Sequence, residues 1–189
     1  MEHSLSAIER SILLRLAREA LVQGVVQGRL SKINIENLPD ILKEKGASFV
    51  TLTRNGELRG CIGTLEPYLP LFEDVREHSV AAALQDYRFP NVQPNELDKI
   101  KIEISRLTIP QPLEYDLPTS LPKCLKPGID GVVLRDGFHK ATFLPQVWEK
   151  ISDPEEFLDH LCMKMGVPPG YWRTHKMRVE IYRVEEFSE

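Results

Sequence analysis

Cysteine is scarce: three residues in 189, Cys61, Cys124 and Cys162. They form neither a CxxC pair nor a Cys/His zinc spacing, so no structural metal site is expected. An odd, small number excludes a disulfide framework and points to a reducing compartment. No run of 18 apolar residues occurs, so no membrane-spanning helix is expected. The stretch MEHSLSAIERS, with Glu2 and Glu9, lacks the basic start and apolar segment of a signal peptide, and a cytoplasmic location is the expectation. Basic charge is not in excess either. Lys and Arg number 24 against 28 Asp and Glu, a net charge of −4 that argues against a general nucleic-acid binder. P-loop, GxGxxG and nucleophile-elbow motifs are missing, as are internal repeats. What remains is globular in composition, 42% hydrophobic and 28% charged. A chain of this length buries about 70% of its unfolded surface, enough for one domain over residues 1–189.

Hydrophobic periodicity gives an α+β pattern. Residues 4–27 place Ile8, Ile12, Leu13, Leu16, Ala17, Ala20 and Leu21 at helical spacing, with Ser4 or Ser6 as cap. Residues 39–45 read as a short helix closed by Gly46. The period then changes to two on both sides of Asn55-Gly56. That dipeptide suits a type I′ turn, where both central residues need positive φ, and strands are expected near 48–54 and 57–62. A second long helix covers 69–86, its narrow Ala81-Ala82-Ala83 run suited to lie close against a sheet. Ile100, Ile102 and Ile104 share one face of a strand over 99–109, and the changed parity of Leu107 and Ile109 implies a bulge or bend. Five of the fourteen prolines fall in the irregular stretch 110–128, with a short helix near 119–124. A second hairpin is centred on Asp136-Gly137. Residues 145–165 form a helix or helix pair, with Pro154-Glu155-Glu156 in a first turn, and 177–187 form a closing strand. The sum is α+β with a mostly antiparallel sheet.

LRGCIGT, residues 58–64, puts a cysteine between two glycines just after a tight turn. A two-residue loop at Asn55-Gly56 sets Arg54 opposite Glu57, and uninterrupted counting sets Leu52 opposite Arg59 and Val50 opposite Cys61. Opposed residues share a face. Val50, Leu52, Arg59 and Cys61 are then expected on one face, and Phe49, Thr51, Leu58, Gly60 and Ile62 on the other. Gly60 and Gly63 leave the backbone bare, as glycine does where another group comes close. A free thiol of pKa about 8.5 is only about 3% thiolate at pH 7. A charge roughly 6–7 Å away is worth about 0.6 kcal/mol in water and about 2.5 kcal/mol at an effective dielectric near 20. Arg59 therefore activates Cys61 only if the site is sheltered from water. Two readings stand: a reactive thiolate, and a small cysteine packed beneath a hairpin.

Other constellations are weaker. In DYRFPN, residues 86–91, Asp86 and Arg88 either bind an anionic or amide-bearing ligand or form a local ion pair at a helix end. Asp74 and His78 stand at i, i+4, as do Glu156 and His160, but neither pair has a nameable third ligand and no metal is assigned. His78, His139, His160 and His175 are formal candidates for a base; His139 is the one on an expected strand, opposite Leu134 by the same counting. Cys124 reads as incidental and Cys162 as structural, with Trp148, Tyr171 and Trp172 as anchors of the C-terminal part.

LRGCIG at 58–63, ALQDYRFP at 83–90, FLPQV at 143–147 and FLDHLCMKMG at 157–166 occur in this order. With them the chain resembles the AMMECR-type domain family, whose bacterial and archaeal members are called AmmeMemoRadiSam system protein A. The resemblance implies an α+β fold, a largely antiparallel mixed sheet flanked by helices in one domain with a larger and a smaller lobe. It implies a pathway shared with Memo-like and radical-SAM proteins, and it names no reaction. It marks Arg59, Gly60, Cys61, Gly63 and Thr64 as a site, with Asp86, Arg88, Phe89 and Pro90 as its other wall, and implies a basic or variable residue where His139 stands. The first expectation is an accessory module, without cofactor, that binds a small molecule or a protein partner at the hairpin. The alternative is a thiol-dependent enzyme with Cys61 as nucleophile and Arg59 beside it, and the third is an RNA- or nucleotide-related factor.

Overall fold

The computed structural model describes residues 4–189. Two compact units divide the chain: one runs to Leu107 and includes Glu185–Glu189, the other is Thr108–Val184. In the first, α1 (Ala7–Gln27) opens with a capping box, in which the Ser6 hydroxyl accepts from the Glu9 N–H and the Glu9 carboxylate from the Ser6 N–H. That selects Ser6 over Ser4, whose hydroxyl donates to Glu185 instead. The short helix α2 (Asp40–Lys43) is not closed by Gly46, because Glu44 is already extended and Gly46 lies in strand β1 (Lys45–Arg54). Strands β2 (Glu57–Gly63) and β3 (Leu69–Pro70), helix α3 (Leu71–Leu84) and strand β4 (Ile100–Leu107) follow. β2, β1 and β4 lie side by side with antiparallel pairing, β3 pairs with the start of β1, and the strand Val184–Ser188 continues the sheet beyond β4. Leu16, Ala17 and Leu21 of α1 and Val75 and Ala82 of α3 form one core with Val50, Leu52, Ile102 and Ile104.

The bulge expected in β4 is absent from its pairing with β1, which is unbroken from Ala47↔Leu107 to Arg54↔Ile100. The parity change instead reflects burial on both faces, Ile104 on one and Ser105 and Leu107 on the other. A bulge does occur in β2. The turn at Asn55-Gly56 has the two positive φ angles of the expected hairpin, 55° and 83°. Beyond it Thr53 pairs with Leu58, but Leu52 pairs with Gly60, so Arg59 is an extra residue with no partner. Cys61 consequently faces Thr51, and Ile62 takes the place opposite Val50. Without the slip Arg59 would lie beside Leu52 under α3, a costly burial for a charge. Gly60 occupies that place, and a Cβ on it would stand 2.1 Å from the Ala82 carbonyl oxygen.

In the second unit come β5 (Gln111–Pro112), α4 (Leu121–Cys124), β6 (Gly131–Asp136), β7 (His139–Phe143), α5 (Pro154–Met165), α6 (Tyr171–Thr174) and β8 (Arg178–Tyr182). The sheet order is β5-β8-β6-β7, with antiparallel pairing. The single closing strand expected at 177–187 is two strands in different sheets, β8 and β9 (Val184–Ser188), parted at Arg183. The second hairpin turns at Gly137-Phe138, with φ 55° at Gly137, so His139 pairs with Asp136 and Leu134 with Ala141. Asp153 caps α5, and Trp148 stacks on Phe157 with ring centroids 3.6 Å apart. The α+β class stands, with antiparallel pairing spread over two sheets. No helix among the described residues is long and apolar enough to cross a membrane.

Gly60→Ala is expected to destabilise the protein by about 1–3 kcal/mol, because the Ala82 carbonyl is backbone and cannot swing aside. Urea unfolding reads this as a lower midpoint at unchanged slope. A wild-type midpoint contradicts the close approach.

Candidate functional site

The residues of this site belong to the first unit. The bulge turns Arg59 out of the ladder, and three acceptors hold its guanidinium. Nε and Nη2 donate to the two carboxylate oxygens of Glu96, each at 3.0 Å, and Nη1 donates to the Pro90 carbonyl at 2.8 Å. Arg54 donates to the same carboxylate. Glu96 sits in the 3₁₀ turn Pro94–Lys99 and accepts in addition from the Gln93 N–H at 2.8 Å. A two-pronged Arg–carboxylate fork is among the strongest protein hydrogen-bond arrangements. The Arg59 hydrogen bonds foremost, and then the Gln93 N–H, hold the Glu96 carboxyl at about 2, down from an ordinary 4.5. Arg54, Arg59 and Glu96, with Phe89–Asn91, Gln93 and Asn95, line an open cleft of about 540 Å³.

Cys61 is half-buried, and its sulfur accepts from the Thr51 hydroxyl at 3.2 Å. Arg59 is not its partner. Because β2 is an edge strand, the outward N–H and C=O of Cys61 lack a neighbouring strand. The loop after α3 supplies both partners: Asp86 Oδ2 accepts from the Cys61 N–H at 2.9 Å, and Arg88 Nη2 donates to the Cys61 carbonyl at 3.3 Å. Asp86 and Arg88 are themselves joined by Nε to Oδ1 at 2.9 Å and Nη2 to Oδ2 at 2.7 Å. The Asp86 side chain is only 2% exposed. Arg88's side-chain hydrogen bonds outweigh the opposing effect of burial, and with the N–H groups of Cys61 and Arg88 they hold its carboxyl far below the usual range.

The remaining candidates fall as follows. Gly60 and Gly63 are points of close backbone approach; a Cβ on Gly63 would stand 2.3 Å from the Ser48 carbonyl oxygen. Thr64 donates its N–H to that same carbonyl, and its hydroxyl accepts from the Glu66 N–H. Phe89 lies beneath the Arg88 guanidinium, 5.5 Å from it. The segment Asp86–Pro90 thus meets the hairpin at two places, the Cys61 backbone and the Arg59 guanidinium. The histidines are engaged elsewhere. His78 Nδ1 lies 3.2 Å from Asp74, which also accepts from the Ser48 hydroxyl at 2.6 Å. His139 faces the Met165 carbonyl, His160 stands 3.9 Å from Glu156, and His175 stacks on Tyr171. Cys124 donates to the Ser120 carbonyl, while burial pushes the Cys162 thiol up. No group of three His, Cys, Asp or Glu among the described residues is placed to hold a metal ion. Sequence reasoning missed Glu96 and Arg54. The available signal was Gln93-Pro94-Asn95-Glu96, a proline-led helical start with an acid at its third position.

A depressed carboxyl pKa stabilises the fold fully above its unfolded value and loses that contribution as pH falls toward the folded one. For Glu96 the window runs from 4.5 down to about 2. Glu96→Gln is expected to cost about 1–3 kcal/mol at neutral pH and to flatten the loss of stability across that window. Urea midpoints against pH check both; identical acid slopes in the two proteins contradict the pairing.

The AMMECR1 family matches residues 14–187. A protein of Methanothermobacter thermautotrophicus is 38% identical over 186 residues, spanning 98% of this chain and 96% of its own length. Protein MJ0810 of Methanocaldococcus jannaschii is 38% identical over 184 residues, 96% of this chain and 90% of its own. The crystal structure of the uncharacterised protein PH0010 from Pyrococcus horikoshii is similar with a TM-score of 0.79 at 34% identity, over 98% of this chain and 93% of that one. Matched along nearly its whole length by family, relatives and fold, the chain belongs to the AMMECR1 family.

Proposed function

We propose that the protein is an accessory module whose cleft beside the β2 bulge receives a small polar ligand. The observation that carries this reading is the state of Arg59. With its fork closed on Glu96 and Pro90, it forms a rigid wall rather than a free charge or an activator of the thiol. The exposed polar side chains of the lining are Asn91, Gln93 and Asn95, with Arg54 engaged to Glu96 through Nη1 alone, beside an apolar strip formed by Phe89 and Pro90. Such a lining suits a molecule with an amide or carboxylate next to a planar apolar group. The resemblance to AmmeMemoRadiSam proteins supports a role in one pathway with Memo-like and radical-SAM proteins. A cytoplasmic setting suits three unpaired cysteines.

The thiol-enzyme reading is weaker, because the Cys61 sulfur is hydrogen-bonded to Thr51 and to no base among the described residues. An RNA-related role is weaker still, with a net charge of −4 and Arg54 and Arg59 both paired to Glu96. A thermal-shift screen of carboxamides and carboxylates tests the reading. A ligand at about 100 times its Kd is expected to raise Tm by about 5–10 °C. The shift should persist in Cys61→Ser and be lost in Arg54→Ala. Stabilisation that depends on Cys61 and survives Arg54→Ala would overturn it.

A further inference from the structure

The first unit holds a second cleft, of about 330 Å³, between the segment after α1 and helix α3. That volume is at the small end of the roughly 300–1,000 Å³ of ligand pockets. Arg76 of α3 lines it and is only 7% exposed. Its one protein acceptor among the described residues is the Ser31 carbonyl, to which Nη2 donates at 2.6 Å. It forms no ion pair among the described residues. Arginine is rarely buried without an anion, because a charge withdrawn from water needs a counter-charge or a full set of acceptors. Nε and Nη1 have neither among the described residues, and Arg76 lines the cleft. The planar guanidinium fork matches a carboxylate.

The rest of the lining narrows the ligand. Glu73 and Glu77, one turn apart on α3, also face the cleft, and neither has an ion-pair partner among the described residues. With Lys32 at the rim, the lining carries two cations and two anions. A balanced set disfavours a dianion and complements a zwitterion. Phe72, Ile33 and Ile35 supply an apolar wall. The geometry points to a binding site for a small apolar α-amino acid. Its carboxylate meets Arg76, its ammonium lies toward Glu73 and Glu77, and its side chain packs on Phe72, Ile33 and Ile35. This site shares no lining residue with the cleft at β2, so the two readings stand or fall separately.

NMR titration with L-leucine, 4-methylpentanoate and inorganic phosphate tests it. The expected result is saturable leucine binding with a Kd of about 1 mM or tighter, with shifts confined to residues 30–35 and 72–77. The analogue lacking the ammonium should bind about fivefold more weakly, and phosphate should not compete. Arg76→Lys keeps the charge but loses the fork. Ile35→Asp, at a site 46% exposed, sets a like charge before the carboxylate without touching the core. Each should weaken leucine binding about tenfold or more. Any of four results overturns the proposal: no saturation, shifts elsewhere, equal binding of 4-methylpentanoate, or undiminished binding by folded Ile35→Asp.

Discussion

One extra residue in strand β2 governs how the site is sorted. Helix α3 crosses the sheet so closely that only a glycine fits opposite Leu52, and the bulge brings Gly60 to that position. Everything around it follows from that one-residue slip, since side chains alternate between faces with a period of two. Arg59 leaves the ladder and reaches Glu96 and Pro90. Cys61 moves from the core row of Val50 to the row of Thr51. Arginine and cysteine, close in sequence, thereby acquire separate partners.

Carboxylates then fix both halves of the arrangement. Glu96 gathers Arg54, Arg59 and the Gln93 N–H, while Asp86 gathers Arg88 and the Cys61 N–H. The second cluster also deals with an exposed sheet edge. Asp86 and Arg88 offer Cys61 an acceptor and a donor where a neighbouring strand would otherwise do so, which removes a template for pairing with another chain. Rigid walls built this way favour recognition over proton transfer, because groups held in charge-assisted hydrogen bonds are oriented but already engaged.

Local chemistry made much of the fold legible from sequence. Asn55-Gly56 announced its hairpin because few residues accept two positive φ angles, and the long helices announced themselves by apolar spacing and, for α1, by a serine cap at Ser4 or Ser6, of which the structure uses Ser6. It was the family resemblance, rather than local chemistry, that paired LRGCIG with DYRFP as two walls. What remained hidden depends on contacts distant in sequence. The bulge at Arg59 answers to the backbone of Ala82, and Glu96 matters only once the chain has brought it beside Arg59. Counting along β2 could not reveal either. The division of the closing strand at Arg183 is of the same kind, as Val179 and Val184 look alike in sequence but belong to different sheets. The turn of the second hairpin was placed one residue early, which moves each cross-strand partner by two, because a glycine-first turn needs only one positive φ and Gly137-Phe138 was not distinguishable from Asp136-Gly137 by residue type alone.

The register of β1 against β2 is the claim on which the separation of Arg59 from Cys61 rests, and cross-strand nuclear Overhauser effects read it directly. The structure predicts backbone contacts between Thr51 and Cys61 and between Leu52 and Gly60. Contacts between Val50 and Cys61 and between Leu52 and Arg59 would contradict it, returning the guanidinium and the thiol to one face and reopening the case for a charge-activated nucleophile.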